Sequence, residues 1–230
     1  MARFPFPVVA FDLDGTLVDS ALDLGPAVNH ALALAGRAPV TPGQVRHLIG
    51  GGARKMLERG LAETGGPLPA DAFEQAYAAL MAHYEAHIAD HTVPYPGCLA
   101  ALDALCARGC RLAVVTNKVE YNSVKLLRAL GMLDRFATVV GGDTLGPGRA
   151  KPAPDMIEEA VRRLGGGALA MVGDSSYDTG AANAAGVPSV VLSFGYNDRP
   201  AADLGASAVI DHYDQLVPTL ERLGGGASES

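Results

Sequence analysis

Five short apolar runs constrain the fold of this chain more than any other feature: residues 8–11 (VVAF), 112–116 (LAVVT), 137–140 (ATVV), 169–172 (LAMV) and 189–192 (SVVL). A strand with one wet face alternates apolar and polar residues. These runs are apolar almost throughout and too short for buried helices, so each reads as a strand covered on both faces. Amphipathic segments of helical length lie between the later runs, at residues 119–130, 155–164 and 177–185. Strands alternating with helices build a parallel sheet, because parallel neighbours need a crossover connection. The expectation is an α/β fold: a doubly wound parallel sheet with helices on both faces.

Residues 19–91 break that rhythm. No strand pattern occurs there, and the segment reads as helices at 22–35, 42–49, 54–63 and 70–89, punctuated by Gly and Pro. Ser20 and Asp23, three apart, form a capping-box-like start to the first. The reading is a helical cap, residues 19–91, inserted into a core of residues 1–18 and 92–223, with 224–230 (GGGASES) as a frayed tail. Both connections of the cap then lie side by side next to the first strand, where a hinged lid needs them.

At 230 residues the chain can bury a core and a modest insertion. No apolar run approaches the roughly 18 residues of a membrane span, so no membrane partner is expected. The formal charge of -7 repels a phosphate backbone, which argues against nucleic acid and leaves room for a small anionic ligand at a local positive site. Cys98, Cys106 and Cys110 are an odd set without CxxC spacing, and the N-terminus lacks a signal-peptide pattern. Both point to the reducing cytoplasm. Cys106 and Cys110 read as small apolar residues near a helix end rather than as redox or metal groups.

The first run leads into DLDGTLVDS, with Asp12 and Asp14 two residues apart. Two such acids at a strand end repel unless a cation or a shared proton holds them. In an open parallel sheet, ligands bind beyond the carboxyl ends of the strands, and polar residues follow the other strands there. Thr116, Asn117 and Lys118 end the second in VVTNK, Asp174 and Asp178 follow the fourth in MVGDSSYD, and Lys151 stands in AKPAP before a helix opened by Pro152 and Pro154. Carboxylates gathered at one edge call for a hard cation such as Mg2+. A hydroxyl, an amide and an ammonium can hold phosphoryl oxygens, one carboxylate can attack phosphorus, and a second can protonate the leaving oxygen and later activate water.

DxDGT, a strand ending in TN, a KPxP loop and GDSxxD together make the chain resemble haloacid-dehalogenase-superfamily phosphatases over nearly its whole length. The resemblance implies Asp12 as nucleophile and metal ligand, and Asp14 as acid/base and backbone carbonyl ligand. It further implies Thr116 and Asn117 on the phosphoryl group, Lys151 stabilising charge, Asp174 on the metal and Asp178 in its acidic shell. Within the superfamily, DLDGTLVDS, IGGGARKML, the PYPG return, AKPAPDM and SFGYN look most like bacterial phosphoglycolate phosphatases. That likeness implies a small phosphorylated metabolite as substrate and hydrolysis of 2-phosphoglycolate to glycolate. In that subgroup a Gly-rich cap loop followed by a basic residue closes over the substrate, which nominates Gly51, Gly52 and Arg54. The subgroup more often carries Asn between the glycines, where this chain has GGG.

Simpler readings stand beside these. Asp178 also suits a capping box with Ser175, Lys151 alone would be a solvated loop lysine, and Arg54 also suits a helix surface. His83, His87 and His91 recur every four residues, yet they span more than two turns and cannot all reach one zinc ion. Rival functions are a receiver-type signalling domain, which lacks a helical insertion; a dehalogenase, which lacks the second acid that Asp14 provides; and a phosphosugar mutase. Phosphatases for phosphosugars, nucleotides or pyrophosphate share the same four motifs. The sequence is compatible with a monomer or a homodimer.

Overall fold

The computed structural model describes residues 4–225. From the N-terminus, β1 (Val8–Phe11) and a short β2 (Val18–Asp19) lead into four helices: α1 (Ala21–Leu34), α2 (Pro42–Leu48), α3 (Ala53–Thr64) and α4 (Ala70–Ala86). The chain returns through β3 (Val93–Pro94) to α5 (Cys98–Ala107), β4 (Arg111–Val115), α6 (Glu120–Ala129) and β5 (Thr138–Val140). It then runs through α7 (Asp155–Arg163), β6 (Leu169–Gly173), α8 (Ser176–Ala184), β7 (Ser189–Leu192), β8 (Ala208–Ile210) and α9 (Leu216–Gly225).

Six strands form one sheet in the order β5-β4-β1-β6-β7-β8, and every neighbouring pair is parallel. The expected doubly wound sheet is therefore present. Its faces separate by alternation along β1, since successive side chains of a strand point to opposite sides. Val8 and Ala10 join Ala113, Val115, Met171 and the inner side of α7 on one face. Val9 and Phe11 join Leu112, Val114 and Leu102 of α5 on the other. All four residues of β1 are fully buried, which is why the run carries no polar residue.

Three elements depart from the sequence reading. β8 is a three-residue edge strand whose Val209 is exposed, too short to show a period. α9 extends through Gly224 and Gly225, so the expected tail begins too early. A Cβ on Gly224 would meet Pro5 at 2.0 Å, so the bare glycine lets the helix end close on the N-terminal segment. Residues 226–230 lie outside the described residues. α4 stops at Ala86, with His87 as its C-cap. His83 stacks against His30 and His87 with ring centroids 5.0 and 4.8 Å apart, and among the described residues no histidine joins a metal-binding group.

The two passages between sheet and inserted helices lie side by side, as β2 pairs antiparallel with β3 through Val18↔Pro94 and Asp19↔Val93. The capping box expected at α1 does not form. Ser20 donates its hydroxyl to Asp14 instead and does not cap the helix with its own side chain. Asp23 is buried and reaches across to the returning strand. It accepts the backbone N–H groups of His91 and Thr92 and the Thr92 hydroxyl, at 2.6–3.1 Å. Interaction with the incoming chain has displaced the local cap. Asp23→Ala should leave these donors without an acceptor and lower stability by about 2–3 kcal/mol. Urea unfolding checks it; a midpoint equal to wild type would show that the clasp contributes nothing.

Candidate active site

β1 lies between β4 and β6 with Phe11 opposite both Val114 and Val172, so the ends of the three strands are level. The chain winds outward from β1 to β5, then crosses back to β6 on the other side of β1. That reversal is where an open parallel sheet leaves a crevice. It brings Asp12, Thr116 and Asp174 to one place. Space there is made by glycine: a Cβ on Gly15, whose φ is +83°, would lie 2.3 Å from Asp174 Oδ2, and one on Gly173 would lie 2.3 Å from Asp178.

Asp12, Asp174 and Asp178 bring carboxylate oxygens within 4.8 Å of one another. Lys151 lies among them, with its side chain 1% exposed. Its ammonium meets Asp178 Oδ1 at 2.6 Å, Asp12 Oδ1 at 3.1 Å and the Val115 carbonyl at 2.8 Å, so all three protons are engaged. Burial would lower the Lys151 ammonium, but Asp12 and Asp178 outweigh it and hold it above the ordinary lysine range. The carboxyls respond in the opposite sense. Burial pushes Asp12 up to about 6 against the pull of Lys151, with Asp178 adding to the rise. Burial, then Asp178 and Asp12, raise Asp174 well above its ordinary value. One ammonium against three carboxylates, Asp174 and Asp178 buried and Asp12 half-buried, leaves an excess of negative charge, and this donor set fits a hard divalent cation.

Each member of the cluster is braced. Asp174 accepts the Thr16 hydroxyl at 2.8 Å and the Tyr196 N–H at 2.6 Å. Asp178 forms the capping box with Ser175, accepting the Asp174 and Ser175 N–H groups and the Ser175 hydroxyl on Oδ2 while Oδ1 holds Lys151. Its structural and electrostatic readings are both satisfied by the two oxygens of one carboxylate. Asp12 takes the Leu13 N–H at 2.7 Å.

The Asp14 carboxylate is not in this cluster. β1 ends at Phe11, so the two acids are not held on one strand face. Asp14 turns to its own partners, accepting Ser20 Oγ at 2.6 Å and Lys118 Nζ at 2.9 Å. The repulsion expected between Asp12 and Asp14 is relieved by two separate lysines. Asn117 ties the loops together, donating its amide to the Lys151 carbonyl at 3.0 Å. Asp12, Asp14, Thr116, Asn117 and Lys118 all face one cavity, whose opposite wall comes from the inserted helices and their loop at Gly50, Gly51 and Gly52.

These glycines have φ of +102°, +79° and +89°. Gly51 packs on the Tyr177 ring, and Gly52 rests on the Asn117 carbonyl, 2.9 Å from where its Cβ would be. Arg59 of α3 gathers the loop by donating to the carbonyls of Leu48, Ile49 and Gly50 and to the Tyr177 hydroxyl. Arg54, nominated for substrate contact, does not line the cavity. It forms a bidentate pair with Glu74 at 2.7 and 3.0 Å and lies over Phe73 and Tyr77, because its position on α3 directs it towards the start of α4.

A family model for haloacid dehalogenase-like hydrolases matches residues 6–186, the span that carries every one of these carboxylates and both lysines. The chain belongs to the haloacid dehalogenase-like hydrolases. It is 43% identical over 216 residues to a phosphoglycolate phosphatase of Agrobacterium fabrum, covering 93% of this chain and 92% of that one. It is 44% identical to a phosphoglycolate phosphatase of Rhodospirillum rubrum, covering 90% and 88%. The crystal structure of a predicted phosphoglycolate phosphatase from Haemophilus somnus superposes with a TM-score of 0.86 at 29% identity, over 95% of this chain and 99% of that one.

In this hydrolase the residues missed by sequence reasoning are mostly braces. Thr16 stands inside DGT, Ser20 ends the same stretch, and Tyr196 belongs to SFGYN. Tyr196 links two regions: its N–H holds Asp174, while its hydroxyl donates to Asp19 and accepts the Ser20 and Ala21 N–H groups at the entrance to the inserted helices. Lys118 sits beside Asn117 in VVTNK, but no spacing in the sequence connects it to Asp14. For the loop the glycine requirement is specific. Gly52→Ala should strain a φ of +89° and press on the Asn117 carbonyl, destabilising the hydrolase by about 1–3 kcal/mol. Thermal unfolding measures it, and an unchanged Tm would mean that the loop has room to move away.

Proposed function

We propose that this hydrolase is a Mg2+-dependent phosphatase that converts 2-phosphoglycolate to glycolate and phosphate through a covalent phosphoryl group on Asp12. The observation that carries the reading is the division of labour between the two acids. Asp12 lies with Lys151 in the carboxylate cluster, Asp14 lies with Lys118 and Ser20, and both open into one cavity. The choice of 2-phosphoglycolate rests on the relatives that bear that activity's name at 43% and 44% identity. In this reading α1–α4 form the cap, which closes over the substrate and keeps bulk water from the reacting phosphorus. Mg2+, held by Asp12, Asp174 and the Asp14 carbonyl with Asp178 behind them, supplies positive charge to the cluster and to the transferring oxygens.

The chain's own groups carry the steps. An Asp12 carboxylate oxygen attacks phosphorus and the bond from phosphorus to the ester oxygen breaks. Asp14 gives its proton to that oxygen, and glycolate leaves as an alcohol. Asp14, now a carboxylate, takes a proton from a water molecule that attacks the same phosphorus. The bond to Asp12 breaks, phosphate is released, and both acids return to their starting states. Lys151 and the Thr116 hydroxyl stabilise the phosphoryl oxygens as charge develops on them. The enzyme's place is the cytoplasm, where the thiols of Cys98, Cys106 and Cys110 stay free.

Asp12→Asn keeps the shape of the side chain but removes the nucleophile, and kcat should fall by about 10⁴-fold. Phosphate release from 2-phosphoglycolate, read beside the circular dichroism of the variant, decides this; turnover near the wild-type rate in a folded variant would exclude the covalent route. A second outcome follows from the carboxyl of Asp12 standing at about 6, above its ordinary 3.8. A raised carboxyl pKa means that the folded protein without metal binds a proton that the unfolded chain has lost. That contribution to stability therefore declines as pH rises from about 4 through about 6. Mg2+ competes for the ionised form, so the rise in Tm that it causes should be large at about pH 7.5 and should shrink as pH falls through about 6. A Mg2+ effect unchanged across that range would place the ion elsewhere.

A further inference from the structure

The two buried lysines of the site differ in how fully they are used. Lys151 spends all three ammonium protons on Asp12, Asp178 and the Val115 carbonyl. Lys118 is almost as buried, with its side chain 7% exposed, but meets only two acceptors: Asp14 Oδ2 at 2.9 Å and the Tyr84 hydroxyl at 2.9 Å. Among the described residues its third proton has no acceptor, and Lys118 lines the cavity. Among the described residues it is the only cationic side chain that lines this cavity. Arg54 is committed to Glu74, and Arg59 to the backbone of the glycine loop.

Tyr84 completes the arrangement from the opposite side. It belongs to α4, is buried, and its ring lies 4.3 Å from Lys118 Nζ. Because its hydroxyl oxygen accepts from Lys118, the hydroxyl proton remains for another acceptor in the cavity. An ammonium proton from the core and a hydroxyl proton from the inserted helices thus converge beside Asp14.

We propose that Lys118 and Tyr84 form a receptor for a carboxylate on the leaving group, so that the enzyme selects phosphate esters whose alcohol carries an acid next to the ester oxygen. The proposal rests on the phosphatase reading above and deepens it. Asp14 must reach the ester oxygen to protonate it, and Lys118 is in direct contact with Asp14. In an ester of the type O–CH2–COO⁻ the carboxylate carbon is two bonds from that oxygen. An ester oxygen placed against Asp14 therefore carries its carboxylate to the unused proton of Lys118. In that reading the phosphoryl group is received at Asp12 and Thr116, with Lys151 offsetting the carboxylate charge behind them, so the substrate's two anionic ends are held at different places in the cavity. An uncharged leaving group would leave the Lys118 proton buried without an acceptor, which disfavours it.

The test uses 3-phosphonopropionate, in which CH2 replaces the ester oxygen and hydrolysis is blocked, and 3-phosphonopropionamide, which lacks the negative charge. Calorimetric affinities for the full-length protein with Mg2+ should favour the carboxylate probe by on the order of 10²-fold in the wild type. Lys118→Met should abolish most of that preference while changing the amide's affinity little. Tyr84→Phe, which keeps the ring, should reduce the preference by roughly tenfold. Equal affinity of the wild type for both probes would overturn the receptor whatever the variants do, as would a preference that survives Lys118→Met. Hydrolysis separates this from the parent reading. Release of phosphate from 2-phosphoglycolate and ethyl phosphate at similar kcat/KM keeps the phosphatase and overturns the receptor. Release from neither ester, with the probe preference intact, supports the receptor and overturns the hydrolytic reading.

Discussion

A single ammonium group, that of Lys151, faces three carboxylates, and the rest of the structure is arranged around that imbalance. Asp12 and Asp174, at the ends of buried strands, and Asp178, in the first turn of α8, are held close enough to repel. A cluster of this kind keeps its shape only if every oxygen is placed by a neighbour. Thr16, Tyr196, Ser175 and the Leu13 N–H do this, and glycines at 15 and 173 clear the space. The parallel sheet contributes level strand ends, and its two-sided burial supplies the low dielectric that makes the charges costly and a bound cation favourable.

The second acid of the opening motif belongs to a different electrostatic unit. Asp12 and Asp14 are two residues apart, yet each has its own lysine, brought from separate loops. In the proposed mechanism this separation would let one carboxyl act as nucleophile and the other handle protons, without both charges being concentrated at a single point. It also places Lys118 at the boundary between the sheet and the inserted helices, in contact with Tyr84.

Legibility in the sequence followed the physics of each feature. Five strands were readable because burial removes polar residues from consecutive positions, and this includes the edge strand β5, whose Val139 and Val140 are both buried; β8, the other edge, was not, because only Ile210 of its three residues is buried. Helix positions in 19–91 were readable from apolar spacing, but spacing could not choose between Arg54 and Arg59, which lie five residues apart on α3. Only the packing of α3 against the start of α4 turns the first towards Glu74 and the second towards the glycine loop. Asp12, Asp14, Lys151 and Asp174 were marked by residue type at strand ends. Lys118, Tyr84 and Tyr196 act through partners far away in the chain, and no single-sequence pattern encodes those pairings. Ser20 and Asp23 show the converse, since a plausible local box gave way to longer-range bonds with Asp14 and Thr92.

The meeting of Gly52 with the Asn117 carbonyl is a contact of backbone with backbone. Closure of the helical layer over the strand ends is thus carried at this point by main-chain atoms and is indifferent to which side chains surround the leaving group. A chain built in this way can exchange the occupants of positions such as 84 and 118 without redesigning how the enclosure seals. The seal is set by backbone geometry, whereas the chemistry admitted beneath it is set by side chains.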